Sequence, residues 1–171
     1  VHAESQVRNE YGKSVHVDYE VSIYDYDGKR VSTFRGQPTT MQSGETVVLK
    51  ASAPLKDLHF WSWGYGYLYD VKTTLLVNGR PVDEVVTRTG FRKTRFGEGK
   101  VWLNDRVLQL KGYAQRSSNE WPGVGMSVPA WLSDYSNGLM VEDNANLVRW
   151  MHITPWKQDI AVSYTHLRAH E

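Results

Sequence analysis

The chain has 171 residues, room for one ordinary domain or one domain with part of another. Its 20 Lys and Arg against 19 Asp and Glu leave a formal charge of +1 with no basic block, so neither nucleic acid nor a membrane surface is expected as a partner. With no cysteine there is no disulfide and no thiolate metal site, and no apolar run approaches the roughly 18 residues of a membrane span.

Residues 1–92 read as strands and turns. Tyr19 to Asp25 alternates between two faces, Asp27-Gly28-Lys29-Arg30 turns, and Val31 to Arg35 alternates again, which makes a hairpin. Ser43-Gly44-Glu45 punctuates before a strand at Thr46 to Lys50. Leu68 to Val77 is a long strand, Asn78-Gly79 supplies a hairpin turn, and Val82 to Thr89 returns. Short strands about ten residues apart with Gly and Pro turns predict an all-β immunoglobulin-like sandwich. Between two of them stands Phe60-Trp61-Ser62-Trp63-Gly64-Tyr65-Gly66-Tyr67. Aromatic faces stack on sugar rings, but they also fill the edge of a sandwich core. Because the cluster leads directly into a strand, the structural reading is favoured.

After residue 93 the pattern changes. Gly97-Glu98-Gly99 and Asn104-Asp105 are turns around Val101-Trp102-Leu103, and Val107 to Tyr113 is predicted as a buried strand. A long irregular stretch, Ala114 to Val128, carries Arg116, Asn119, Glu120 and Trp121; loops of this length are usually functional. Pro129 suits the start of a helix in which Trp131, Leu132 and Tyr135 form one apolar stripe, continued by Leu139 and Met140. Asn144 fits the left-handed residue that closes it. Leu147, Val148, Met151 and Ile153 then give a short buried strand, with Arg149, Trp150 and His152 at its carboxyl end and Pro155-Trp156 opening a further helix. Strand, helix, strand is a βαβ unit, and in parallel α/β folds the carboxyl ends of strands hold the active site. The plainer alternative is a buried strand with a salt-bridged Arg149 and a satisfied core His152.

The last ten residues, Val162 to Glu171, have no hydrophobic period. They resemble the translation of a transposon-end adapter used in sequencing libraries. Residues 161–171 are accordingly read as a non-native tail, and His166 and His170 are not taken as metal ligands despite their i,i+4 spacing.

The succession Gly90-Phe91-Arg92, Val101-Trp102-Leu103-Asn104, Leu110-Lys111-Gly112, Leu139-Met140, Asn146-Leu147-Val148-Arg149 and His152 resembles glycoside hydrolase family two, the β-galactosidase and β-glucuronidase group. The resemblance implies a β-sandwich over residues 1–92, followed over residues 93–160 by the start of a (β/α)8 barrel, truncated because about 68 residues cannot close eight strands. It implies a carbohydrate substrate and no cofactor, with Arg149 and His152 lining the sugar site. The Arg149 guanidinium would orient a carboxylate or sugar hydroxyl, and His152 would donate to a hydroxyl. The family pattern is broken at three places: Asp105 stands for the usual Gly, Tyr113 to Ser118 replaces an Asn-x-His, and His152-Ile153-Thr154-Pro155 replaces His-Tyr-Pro. These departures bear on galactosidase specificity more than on fold. Trp121 and Trp150 are candidates to replace lost sugar contacts, with core packing an equal alternative for Trp150.

Retaining glycosidases need two carboxyl groups about 5 Å apart. By the resemblance both glutamates fall beyond Ile160, so no catalytic residue is expected within this chain. Glu120, beside Trp121 in the long loop, is the one loop carboxylate placed to touch substrate. No phosphate loop, Ser-His-Asp arrangement or metal-ligand cluster is present. The reading is therefore an inactive portion of a glycosidase acting on β-linked sugars. The alternative is a non-catalytic sandwich module binding carbohydrate or a protein. Compartment and oligomeric state are not legible.

Overall fold

The computed structural model describes residues 1–115, 129–151, 154–155, 157 and 160. The chain divides into two units, Val1–His59 with Leu68–Phe91, and Phe60–Tyr67 with Arg92–Glu171.

The first unit contains β1 (His2–Arg8), β2 (Val15–Tyr24), β3 (Arg30–Arg35), β4 (Thr39–Met41), β5 (Thr46–Ser52), β6 (Tyr69–Val77) and β7 (Arg80–Thr89). One antiparallel sheet has the order β3-β2-β6-β7, with β4 also pairing with β2; β1 and β5 form the second. Strand β2 sets the core because its β-branched residues and one tyrosine fall on one face: Val15, Val17, Tyr19, Val21 and Ile23 are all buried. Leu49 and Ala51 on β5, and Tyr69 and Val71 on β6, complete the apolar interior. Tyr19 also reaches across to β1, its hydroxyl 2.8 Å from Ser5 Oγ.

Two polar devices close this sandwich. Buried Asn9 donates through Nδ2 to the carbonyls of Lys13, Met41 and Gln42, while its Oδ1 accepts from the Tyr11 N–H, so one carboxamide ties three segments. Gly36 allows a close backbone approach: a Cβ there would lie 2.2 Å from the Lys50 carbonyl oxygen. The predicted hairpins are present. At the β6–β7 turn Asn78 and Gly79 have φ of 49° and 75°, the positive pair that a two-residue turn demands. Strands β1 and β4 are additions that the alternation did not announce.

The second unit opens with the aromatic segment Phe60–Tyr67, continues through an antiparallel meander of β8 (Thr94–Gly97), β9 (Lys100–Leu103) and β10 (Arg106–Leu108), and then changes character. Strand β11 (Gly112–Gln115) and strand β12 (Leu147–Trp150) pair in parallel, with helix α1 (Ala130–Glu142) between them in sequence. A parallel pair requires such a crossover, so the βαβ succession is observed. Asn144 closes the helix at φ 58°.

Three local expectations need correction. The single buried strand Val107 to Tyr113 is two strands with different partners, β10 on β9 and β11 on β12. The break is held by Asn146, whose Nδ2 donates to the Gln109 carbonyl and whose Oδ1 accepts from the Lys111 N–H. Strand β12 is half open rather than buried, with Leu147 and Arg149 exposed. The apolar helix stripe divides: Leu132 turns inward with Ser133 and Asn137, whereas Trp131, Tyr135 and Leu139, at i, i+4 and i+8, face outward.

Candidate functional site

Of the residues the sequence singled out for substrate contact, Arg149 and Trp150 are described. Glu120, Trp121 and His152 lie outside the described residues, as does the 161–171 tail. Arg149 stands on β12 opposite Ala114 of β11. Strand alternation turns Val148 and Trp150 to one face and Arg149 to the other. Val148 and Trp150, with Met140 and Val141 of α1 and with Trp61 and Leu103, line an apolar cavity of about 390 Å³. By strand alternation Arg149 projects from the face opposite Val148 and Trp150. Its side chain is exposed, and none of the ion pairs among the described residues includes it. Among the described residues, then, β12 is half exposed and Arg149 has no carboxylate partner.

Three residues hold the β11–β12 pair in ways the sequence did not announce. Gly112 lets β11 and β12 approach, since a Cβ there would meet Leu147 Cδ2 at 3.2 Å. Tyr113, one residue before the Ala114 partner of Arg149, donates its hydroxyl to the Asp143 carboxylate at the helix end. That bond holds the Tyr113 hydroxyl above its ordinary pKa, because ionising it would set two anions together. Asn146, the first residue of the quoted Asn146-Leu147-Val148-Arg149 stretch, fixes with its carboxamide where β11 starts. Other carboxylates of this unit have partners of their own: Asp105 pairs with Lys93 at 2.7 Å, and Glu98 lies 3.7 Å from Arg95. Among the described residues no three His, Cys, Asp or Glu side chains gather as a metal site.

The aromatic segment divides by burial. Tyr69, just beyond it, enters the first unit's core at 2% exposure and accepts the His59 N–H on its hydroxyl. Phe60, Trp63 and Tyr65 are exposed, and Trp61 is half-buried with the Arg92 guanidinium 5.5 Å from its ring centre.

Comparison with known proteins identifies the lineage. The family model described as glycosyl hydrolases family 2 matches residues 1–92. The chain belongs to that family. It is 26% identical over 164 residues to a β-glucuronidase of Formosa agariphila, covering 94% of this chain and 17% of that protein. It is 28% identical over 141 residues to a β-galactosidase of Thermoanaerobacterium thermosulfurigenes, covering 82% of this chain and 19% of the relative. The chain therefore spans less than a fifth of the length of these two family members. Among solved structures, Bacteroides uniformis β-glucuronidase 2, covalently bound there to cyclophellitol-6-carboxylate aziridine, aligns with a TM-score of 0.81 at 23% identity. That alignment covers 98% of this chain and 20% of the solved one, and shows a shared fold.

Proposed function

We propose that this chain is the sandwich and the opening barrel segment of a glycoside hydrolase that cleaves β-linked sugars. The observation that carries the proposal is the parallel β11–β12 pair, with α1 between its strands, following a family 2 sandwich. A parallel pair in an otherwise antiparallel chain is the start of an α/β architecture. Residues 1–92 are the sandwich, residues 93–160 the first strands of the barrel, and residues 161–171 a non-native tail.

In this reading Arg149 faces the barrel interior and grips the substrate, its guanidinium presenting a fixed fork of donors to a hydroxyl or to a catalytic carboxylate. His152, Trp121 and Glu120 are assigned to the same rim. The acid/base and nucleophile carboxyls are supplied by parent sequence outside these 171 residues. The pairing of Asp105, Glu98 and Asp143 with Lys93, Arg95 and Tyr113 supports leaving them out of the chemistry. The test is steady-state hydrolysis of an aryl β-glycoside by the full-length parent and its Arg149→Met variant. A loss of roughly 100-fold in kcat/KM with an unchanged circular-dichroism spectrum is expected. Retention of parental kcat/KM would remove Arg149 from the site.

A further inference from the structure

Two turns of the second unit enclose a recess that the glycosidase reading leaves unused. Ser62 to Tyr65 form a tight turn in which each end donates its N–H to the other's carbonyl at 2.9 Å, and Gly64 takes φ 76° at the tip. The turn throws Trp63 outward, 42% exposed. Facing it is the two-residue turn between β9 and β10, with Asn104 and Asp105 at φ 50° and 66°. Asn104 bolts the two turns together: its Nδ2 donates to the Trp61 carbonyl at 2.9 Å, and its Oδ1 accepts from the Lys93 N–H at 3.0 Å. The arrangement is built before any ligand arrives, which limits the entropy lost on binding.

The recess between them measures about 400 Å³ and is lined by Ser62, Trp63, Leu103, Asn104 and Arg106 to Leu108. That volume lies within the range of small-ligand sites. Its chemistry is specific. Trp63 offers a broad apolar face. Arg106 is exposed and makes no ion pair among the described residues, so its forked donors are open to a carboxylate. Ser62 adds a hydroxyl. An indole face beside a guanidinium suits a ring with one apolar face and one anionic substituent. A β-linked pyranose uronate has both, its axial C–H groups forming the face and its carboxylate the anion. A neutral hexose has only the first.

We propose that this recess is a non-catalytic subsite for a uronate residue of a β-linked glycan, with Trp63 stacked on the ring and Arg106 paired with the carboxylate. The choice of a sugar, rather than another ring bearing an anion, rests on the reading of the parent as a glycosidase.

The experiment is a saturation-transfer NMR titration of the 171-residue chain with methyl β-D-glucopyranosiduronate and, in parallel, methyl β-D-glucopyranoside. The uronate is expected to bind with Kd on the order of millimolar, and the neutral glycoside about five- to tenfold more weakly. Trp63→Ala abolishes saturation of both sugars, and Arg106→Met lowers the uronate to the neutral sugar's affinity. Both side chains are exposed, so both variants keep the parental amide spectrum. Equal affinity for the two sugars, or uronate binding unchanged in either variant, overturns the proposal. A separate assay distinguishes it from the glycosidase reading. Trp63→Ala in the full-length parent leaves kcat/KM on a small aryl glycoside unchanged, and a fall in that value overturns the non-catalytic assignment. A parent that hydrolyses no β-glycoside contradicts the proposed function and leaves the titration standing.

Discussion

The two units differ in strand length, up to ten residues in the first and three or four in the second, and they spend their apolar residues differently. Of the thirteen buried apolar residues among those described, ten belong to the first unit and three, Leu103, Leu132 and Ala145, to the second. The second unit leaves Leu110, Tyr113, Trp131, Tyr135, Leu139 and Leu147 exposed. Closed antiparallel sheets satisfy themselves, because each apolar face finds the other. A parallel pair with one helix covers one face and leaves a second face and two strand edges without partners among the described residues. The contrast teaches where the apolar interior lies among the described residues: the first unit holds most of it, and the βαβ part leaves much of its apolar surface exposed.

The sharpest way to break that contrast is a core truncation in each unit. Ile23→Ala removes a fully buried β2 side chain and is expected to cost about 2–5 kcal/mol in denaturant unfolding, with loss of amide protection across β2, β5 and β6. Leu132→Ala in α1 is expected to leave the protection of those strands untouched. If Leu132→Ala lowered first-unit protection as much as Ile23→Ala, the two units would be one cooperative body and the comparison would fail.

Asn9→Ala comes next in size. It leaves the carbonyls of Lys13, Met41 and Gln42 short of a donor in a buried setting, and should cost about 1–3 kcal/mol in the same unfolding measurement. In the second unit Asp105→Gly should act in the opposite direction. Asp105 sits at φ 66° in a two-residue turn, where a Cβ is unfavourable, and relief of that strain is worth about 1 kcal/mol, offset in part by loss of the exposed Lys93 pair. Hydrogen exchange at β9 and β10 reads the gain.

The smallest effect is electrostatic. The Lys72 ammonium, hydrogen-bonded to Glu84 at 2.8 Å, holds the Glu84 carboxyl below its usual range, and Glu84 in turn holds Lys72 above its own. A depressed carboxyl contributes stability above its unfolded pKa of roughly 4.3, and that contribution disappears as pH falls through the folded value. The raised lysine contributes below its unfolded pKa and stops contributing above the folded one. The first unit's melting midpoint should therefore fall slightly on acidification below about pH 4.3, and Glu84→Gln should flatten that slope. Both groups are exposed, so an unchanged profile in the variant would show that the pair contributes nothing measurable.

Much of this architecture was legible from residue type and spacing, for local reasons. The β2–β3 and β6–β7 hairpins follow from period-two alternation and from Asp-Gly and Asn-Gly turns, and Asn144 announced the end of α1. What escaped was set by distant partners. Strand β1 reads as polar sequence and becomes a strand by pairing with β5 some forty residues on. The break between β10 and β11 is imposed by Asn146, 37 residues from Gln109. Both faces of α1 carry apolar residues, so the sequence could not say which would turn inward. For the proposed site, Arg149 could be placed from the sequence on a strand of a parallel pair, whereas the Trp63–Arg106 recess joins turns that are far apart in sequence.

The most direct test of the account compares hydrolysis by the 171-residue chain with hydrolysis by the parent carrying its downstream sequence. Both are purified to homogeneity and assayed on the same aryl β-glucuronide and β-galactoside. The account predicts no turnover above background by the 171 residues and steady turnover of a β-glycoside by the parent. Catalysis by the 171-residue chain alone, at a rate that follows its concentration, would contradict it.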